Sequence, residues 1–192
     1  MQIKSWSEYD NIRKEVPDHF NKYPLIRGSS FNVVSKIVNK KVLDFGANKQ
    51  QFKKFLKKDV IYKSFDIDKK VNPDYTSFSQ IKEKFDYVVA FAVFEHLTQD
   101  ELIYTLKNIK KISTKLIFTM PNIFSPYWVF KKDLTHKTIL SPATIYYFLK
   151  KAGYNKIELK RISGTNYPIF KELISKIIQQ DITSFELIIF AE

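Results

Sequence analysis

The chain has 192 residues, of which 44% are hydrophobic and 16% aromatic, so it can bury the core of one ordinary globular domain and is too apolar to be disordered. No apolar run approaches the roughly 18 residues that a membrane-spanning helix needs. The first ten residues contain no apolar stretch typical of a signal peptide. The lack of cysteine excludes disulfides, thiolate metal sites and a cysteine nucleophile. These features predict a cytoplasmic protein.

The formal net charge of +12 indicates either an anionic partner or a generic lysine-rich surface. Only three of the 32 basic residues are arginine (Arg13, Arg27 and Arg161). Nucleic-acid readers favour arginine because its planar fork pairs with phosphate and guanine. A nucleic-acid partner is therefore possible but not favoured, and the charge also leaves peripheral contact with a membrane open.

Residues 1–40 are predicted to form an N-terminal helical cap, in which the spacing of Phe31, Val34, Ile37 and Val38 favours a helix. Residues 41–192 then alternate between strand and helix patterns. The predicted strands are 41–45, 60–65, 75–77, 86–93, 115–120, 155–162 and 184–191, and the predicted helices are 51–57, a helix after Thr98, one after Ser141, and 170–178. This alternation is typical of an α/β domain with a mostly parallel sheet.

Two helix starts are well marked. Thr98 and Glu101 fit a capping box at the start of one helix. Ser141 fits the cap of a later helix, with Pro142 in its first turn and Gly153 just past its end.

Chemistry is expected where strands end, because ligands of open parallel sheets bind at the carboxyl edge. The first strand ends in Asp44 and Gly46, and a glycine there lets the backbone approach a ligand closely. Asp66 ends the second strand, 20 residues after Gly46, a spacing that suits hydrogen bonds to ribose hydroxyls. Together these residues predict an adenosine-type ligand.

Five segments carry a resemblance to a known family. They are VLDFGAN (42–48), SFDID (64–68), FDYVVAFAVFEHL (85–97), KLIFTMPN (115–122) and SPATIYYFLKKAGY (141–154). In this order they resemble the class I S-adenosylmethionine-dependent methyltransferases, of the small-molecule type with a methyltransferase-11/23-like core. The resemblance implies a Rossmann-like seven-stranded sheet, mostly parallel with an antiparallel last strand, helices on both faces, and S-adenosyl-L-methionine as cofactor. The GxGxxG fingerprint of nicotinamide-dependent oxidoreductases is absent.

The resemblance also implies roles for individual residues. Asp44 and Gly46 would line the methionine end of the cofactor, and Asp66 would hold the ribose. The remaining cofactor contacts would be Ile67, Ser77 and Phe78 around the adenine and Phe91 and Ala92 at the methionine. Where the family has glycines this chain has Asn48, which tolerates a left-handed backbone, and Gln50, whose side chain must point out of the pocket. A non-catalytic cofactor-binding module therefore stays open.

Three residues are candidates for catalysis by acid and base. His96 follows Glu95 just after a strand, and Asp133 could orient His136 in the loop after the next strand. Each histidine could instead only shape the pocket or cap a turn. Because the three histidines are scattered along the sequence, no metal site is expected.

The aromatic segment 121–132 is predicted to be a lid over the acceptor, with packing on a neighbouring helix or contact with a membrane as alternatives. The resemblance implies methyl transfer to a small-molecule, lipid or sugar acceptor, with O-methylation favoured. An RNA- or protein-directed methyltransferase is the first alternative.

Overall fold

A computed structural model of the chain describes residues 23–125, 133–163 and 186–192, together with Ser7, Asp10, Asn11, Lys14 and Val16. One sheet organises these residues. Its strands are β1 (Leu25–Arg27), β2 (Lys41–Phe45), β3 (Ile61–Phe65), β4 (Tyr87–Phe91), β5 (Leu116–Pro121), β6 (Ile157–Ser163) and β7 (Glu186–Ala191). The strand order is β1-β6-β7-β5-β4-β2-β3, and only β7 runs antiparallel to its neighbours. The predicted mostly parallel sheet with an antiparallel last strand is confirmed.

Helices cover both faces of the sheet, as the sequence predicts. The helices α2 (Gln99–Ile112) and α3 (Pro142–Lys151) pack on one face, and α1 (Ser30–Ser35) and a 3-10 turn (Gln51–Phe55) pack on the other. Alternate residues of the buried strands point to opposite faces and fill two separate cores. This layering explains why the sequence of β4 is apolar throughout.

The N-terminal prediction needs a correction, because residues 25–27 form a strand and not a helix. Pro24 cannot continue a helix, and the free edge of β6 offers unpaired backbone groups. β1 pairs with that edge in parallel, and Arg161 Nε donates to the carbonyl of Tyr23 at 2.9 Å. The boundary of the cap at residue 40 stays a prediction.

The predicted strand 75–77 is also reduced, to a single bridge between Tyr75 and Phe65. The sheet has seven strands because β1 replaces it. Asp74 explains why the bridge is short. Its carboxylate accepts hydrogen bonds from the Ser64 backbone and hydroxyl and from Lys63, which turns the chain across the end of β3.

The helix caps lie where the sequence places them. Thr98 and Glu101 form the reciprocal capping box of α2, and the Ser141 hydroxyl accepts from the Thr144 N–H at the start of α3. The predicted helix 170–178 lies outside the described residues. Within the described part of the chain, no helix is both long enough and apolar enough to cross a bilayer.

Candidate functional site

The site lies where β2 and β4 run side by side at the carboxyl edge of the sheet. From β2 the chain crosses to β3 on one side, and from β4 it crosses to β5 on the other. The turns that follow β2 and β4 therefore diverge and leave a crevice between them, the usual ligand position in such sheets.

Gly46 brings these two turns into direct contact. Its φ of +74° lies in the region that favours glycine, and a Cβ placed on it would lie 2.6 Å from Val93 Cγ2. Its N–H donates to the carbonyl of Phe65 at 2.8 Å. Any side chain at position 46 would therefore push the turn after β4 away.

Three further residues of the site adopt positive φ without being glycine: Asn48 (42°), Gln50 (53°) and Ala92 (53°). Such conformations cost L-residues about 1–2 kcal/mol each. The Gln50 side chain donates through Nε2 to the carbonyl of Asn72 at 3.2 Å, which directs it to the loop after β3 and not into the crevice. Asn48 and Gln50, which stand where the family has glycines, thus adopt the left-handed backbone conformation that glycine favours.

Asp66 is anchored by the backbone at the tip of β3. Its Oδ2 accepts the N–H of Asn48 at 2.8 Å, and its Oδ1 accepts the N–H of Asp68 at 3.0 Å. The side chain is half-buried, and each carboxylate oxygen keeps capacity for a further hydrogen bond. The carboxylate is therefore held in one orientation, ready to accept from a pair of hydroxyls.

Asp44 is a buried acid at the end of β2, with only 3% of its surface exposed. Burial raises its pKa to about 7, against the opposing effect of the Tyr62 hydroxyl, which donates to Oδ2 at 2.8 Å. The negative charge of Asp66 raises this pKa further. Asp44 is thus a carboxyl group whose ionisation would respond to a nearby positive charge.

Two clefts open on either side of the turn at Gly46 to Asn48, with volumes of 190 Å³ and 680 Å³. All nine residues predicted to bind the cofactor line one or both of them. The smaller cleft is lined by Asp44, Gly46, Asn48 and Phe91, and the larger by Gly46, Asn48, Asp66, Ile67, Ser77, Phe78 and Ala92.

Aromatic rings form the floor of the larger cleft. Phe45 and Phe65 stack with centroids 4.6 Å apart, and Phe78 packs against both at 5.6 and 5.2 Å. Ile67 lies at the rim with 83% of its surface exposed, which is unusual for an isoleucine. The larger cleft thus offers a flat apolar floor under an anchored carboxylate.

The two histidines meet at the far end of the larger cleft. The ring centroids of His96 and His136 lie 4.8 Å apart, and His96 lines the cleft. The loop that carries His136 is docked on the turn after β4 through the N–H groups of Lys137 and Thr138, which donate to the Glu95 carbonyl at 2.8 and 3.1 Å. The histidines are brought together by this backbone pairing, although 40 residues separate them.

That Asp133 orients His136 stays a prediction, since the two side chains are close but share no short hydrogen bond. Asp133 Oδ2 lies 3.7 Å from His136 Nε2, which is too long for a hydrogen bond. Asp133 accepts instead from the Thr135 N–H at 2.9 Å and hydroxyl at 2.6 Å, and this hydroxyl holds the pKa of Asp133 below its usual range. The Thr135 hydroxyl lies 2.9 Å from His96 Nδ1, so Asp133 is linked to His96 through Thr135.

Other residues of the site were not predicted. Among them are the cleft residues Phe31, Phe45, Lys49, Phe65, Leu97, Tyr104 and Lys137, and the neighbouring Tyr62 and Glu95. Most of these have an ordinary apolar or surface pattern, so only the position of their elements assigns them to the clefts. The predicted aromatic lid falls largely on residues 126–132, outside the described residues.

Solved structures with the same fold are S-adenosylmethionine-dependent methyltransferases. One from Archaeoglobus fulgidus has a TM-score of 0.61 and 17% identity and covers 95% of this chain and 98% of its own. A chain from the Haloferax volcanii complex between the Trm112 methyltransferase activator and a methyltransferase has a TM-score of 0.60, 15% identity and coverages of 97% and 93%. The magnesium protoporphyrin IX methyltransferase of Synechocystis with bound S-adenosylmethionine has a TM-score of 0.52, 12% identity and coverages of 96% and 79%.

No protein-family model matches the chain, and no curated protein matches it by sequence. The likeness is therefore one of three-dimensional structure. The fold of this protein is that of the class I S-adenosylmethionine-dependent methyltransferases, and the clefts lie at the edge of the sheet where open α/β folds bind their ligands.

Proposed function

We propose that this protein transfers a methyl group from S-adenosyl-L-methionine to a hydroxyl of a small-molecule, lipid or sugar acceptor. One observation carries the proposal: two clefts meet across the turn at Gly46 to Asn48, with the anchored carboxylate of Asp66 beside their junction. A long, bipartite ligand with a diol near its middle matches this arrangement.

The larger cleft fits the adenosine part of the cofactor. Asp66 would accept from the two ribose hydroxyls, as carboxylates at this strand end do in dinucleotide-binding sheets. Ile67 and Phe78 offer the apolar surfaces between which a purine ring could lie, and the exposure of Ile67 is explained if a ring covers it.

The smaller cleft fits the amino-acid end. Asp44 supplies a buried acid for the ammonium group, and Lys49 supplies a cation for the carboxylate. The absence of a Cβ at Gly46 lets the Val93 side chain pack against the turn after β2, so the turns after β2 and β4 stay close where the two clefts meet.

The cofactor supplies a methyl group on a positively charged sulfur, which is already an activated leaving group. The residues of the chain then have to hold the ligands in line and keep water out. Ala92, Leu97 and His96 all line the larger cleft, which supports an acceptor site on the side of the two histidines. The base roles predicted for His96, His136 and Asp133 stay predictions.

Calorimetric titration with S-adenosylhomocysteine tests this proposal. Wild-type protein is expected to bind, and Asp66→Ala is expected to weaken binding roughly 100-fold, because two charge-assisted hydrogen bonds are lost. Asp59→Ala removes the same charge from an exposed position outside both clefts and is the matched control. Equal affinities in all three proteins, or no binding in any, would contradict the proposal.

The net charge of +12 motivates a second candidate, an RNA-directed methyltransferase. Affinity for RNA would then fall steeply with added salt, because bound phosphates release counterions. Binding of a mixed RNA pool that is tight at low salt and lost at physiological salt supports this candidate. No binding even at low salt leaves the small-molecule acceptor.

A further inference from the structure

Glu95, His96 and His136 form a cluster beside the larger cleft, which His96 lines. One potential ligand atom from each, a carboxylate oxygen or an imidazole nitrogen, lies within 4.8 Å of the others. The three residues come from the turn after β4 and the loop before α3, which the backbone pairing at Glu95 holds together. This proximity is a property of the fold and is invisible in the sequence, where the histidines are far apart.

The Glu95 side chain provides a second, independent observation. The residue is 1% exposed, and neither carboxylate oxygen has a hydrogen-bond partner among the described residues. A buried carboxylate without partners costs several kcal/mol, so such groups are normally paired or coordinate a metal. A cation bound next to the Glu95 carboxylate would therefore stabilise it.

Two residues of the loop before α3, Asp133 and Thr135, lie next to ring nitrogens of the two histidines. The Thr135 hydroxyl lies 2.9 Å from His96 Nδ1 and itself donates to Asp133. Asp133 Oδ2 lies 3.7 Å from His136 Nε2. A hydrogen-bond partner on one ring nitrogen, as Thr135 is for His96, fixes the ring of a metal-binding histidine, and the charge of Asp133 beside His136 favours one orientation of that ring. The nearest lysine of the cleft, Lys137, is directed to Glu101 at 3.6 Å.

We propose that Glu95, His96 and His136 bind a divalent transition-metal ion, with Asp133 and Thr135 as the residues that orient the imidazoles. Two imidazoles and one carboxylate select Mn²⁺, Fe²⁺, Co²⁺ or Zn²⁺ over Mg²⁺ and Ca²⁺, which prefer ligand sets made of oxygen. Three protein ligands leave coordination positions open towards the cleft.

The use of this ion rests on the proposed function. An acceptor hydroxyl bound to the ion loses its proton to solvent more readily, because the metal stabilises the alkoxide. The alkoxide oxygen then forms the new bond to the methyl carbon as the carbon–sulfur bond breaks, and the electron pair of that bond stays on sulfur. A metal-bound nitrogen cannot accept a proton, so the imidazoles act as ligands and not as bases.

The metal ions themselves are the probe. Protein freed of metal with a chelator is titrated calorimetrically with MnCl₂, CoCl₂ and ZnCl₂, and the visible spectrum of the Co²⁺ complex is recorded. Wild-type protein is expected to bind in the micromolar range or tighter, with a Co²⁺ spectrum typical of imidazole and carboxylate ligation. Glu95→Gln and His136→Ala are expected to weaken binding at least roughly 100-fold, and Asp133→Asn roughly 10-fold. Glu158→Gln changes an exposed glutamate on β6 and is the matched control.

Thermal unfolding separates loss of the site from loss of the fold. Without metal, Glu95→Gln is expected to melt at or above the wild-type temperature, because it removes an unpartnered buried carboxylate. Metal is expected to raise the melting temperature of wild type and not of Glu95→Gln. Absence of binding by wild type, or equal binding by Glu95→Gln, overturns the metal site. S-adenosylhomocysteine binding measured in chelator reports on the proposed function separately.

Discussion

The two halves of the crevice are built in different ways. The proposed cofactor half is made mostly by residues at the ends of β2, β3 and β4, so the strands fix most of its positions. The acceptor half joins the turn after β4 to a loop that starts beyond β5, and it depends on the hydrogen bonds at Glu95 and Leu97. The first half can be read from local spacing, whereas the second exists only once the chain has folded.

Gly46→Ala gives the largest expected effect, and it acts on the cofactor half. The added Cβ would lie 2.6 Å from Val93 Cγ2 at a φ of +74°, so both turns must shift. We expect loss of about 2–4 kcal/mol in unfolding free energy and at least roughly 100-fold in affinity for S-adenosylhomocysteine. Urea unfolding and calorimetry measure the two quantities.

Gly153→Ala is the control for Gly46→Ala. Gly153 has a φ of +93°, yet nothing lies within 4 Å of the point that a Cβ would occupy, so the substitution isolates the cost of the backbone conformation. We expect a loss of about 1 kcal/mol and unchanged ligand affinity. Similar losses of affinity in both variants would show that close approach of the two turns is not what Gly46 provides.

The ionisation of Asp44 gives the next effect. Its pKa is raised from 3.8 to about 7 in the folded protein, so the folded state holds this proton more tightly than the unfolded state does. The contribution of Asp44 to stability is therefore full below about pH 4 and falls as the pH rises to about 7, by on the order of 1.4 kcal/mol per unit. Melting temperatures should fall less over this window in Asp44→Asn than in wild type.

Ligand binding should show the opposite pH dependence. An ammonium group beside Asp44 favours the carboxylate, so affinity for S-adenosylhomocysteine is expected to rise up to about tenfold per unit below the pKa of about 7. Asp44→Asn should flatten the profile. Tyr62→Phe removes the hydrogen bond that lowers this pKa and should move the rise to higher pH. A flat profile in wild type would place the ammonium group elsewhere.

Thr138→Val tests the acceptor half alone. The Thr138 hydroxyl donates to the carbonyl of Leu97 at 2.6 Å and helps to dock the loop that carries His136. We expect about 1 kcal/mol less stability, lower turnover with a working acceptor, and unchanged affinity for S-adenosylhomocysteine. Thr114→Val, at an exposed position, is the control. A parallel loss of cofactor affinity would mean that the two halves are not independent.

Gln50→Gly gives the smallest effect, and the expected change is a gain in stability. Glycine adopts the φ of 53° at position 50 without strain, which stabilises the folded state. Two smaller effects oppose this gain, because the hydrogen bond to the Asn72 carbonyl is lost and the unfolded chain becomes more flexible. We expect a net stabilisation of about 0.5–1 kcal/mol with unchanged ligand affinity. Weaker binding after this change would mean that the Gln50 side chain takes part in the site.

The sequence predicts well which residues line the two clefts, because the residues at strand ends follow from local pattern. Asp44, Gly46 and Asp66 each lie at the end of a predicted strand, and the parallel sheet brings such ends to one edge. The strand β1 was missed because three residues carry too little periodicity, and only the open edge of β6 selects them. Likewise, no pattern could indicate that Glu95 is buried without a partner or that His136 lies beside His96.

Chemical-shift mapping tests the central claim most directly. In ¹H–¹⁵N spectra of labelled protein titrated with S-adenosylhomocysteine, we expect the largest changes at the amides of Gly46, Asn48, Asp68 and Ala92. Those of Leu187 and Ile189, buried in β7 away from both clefts, should stay in place. Saturable changes confined to the first group would confirm a nucleoside site between β2 and β4, whereas changes elsewhere, or none, would contradict it.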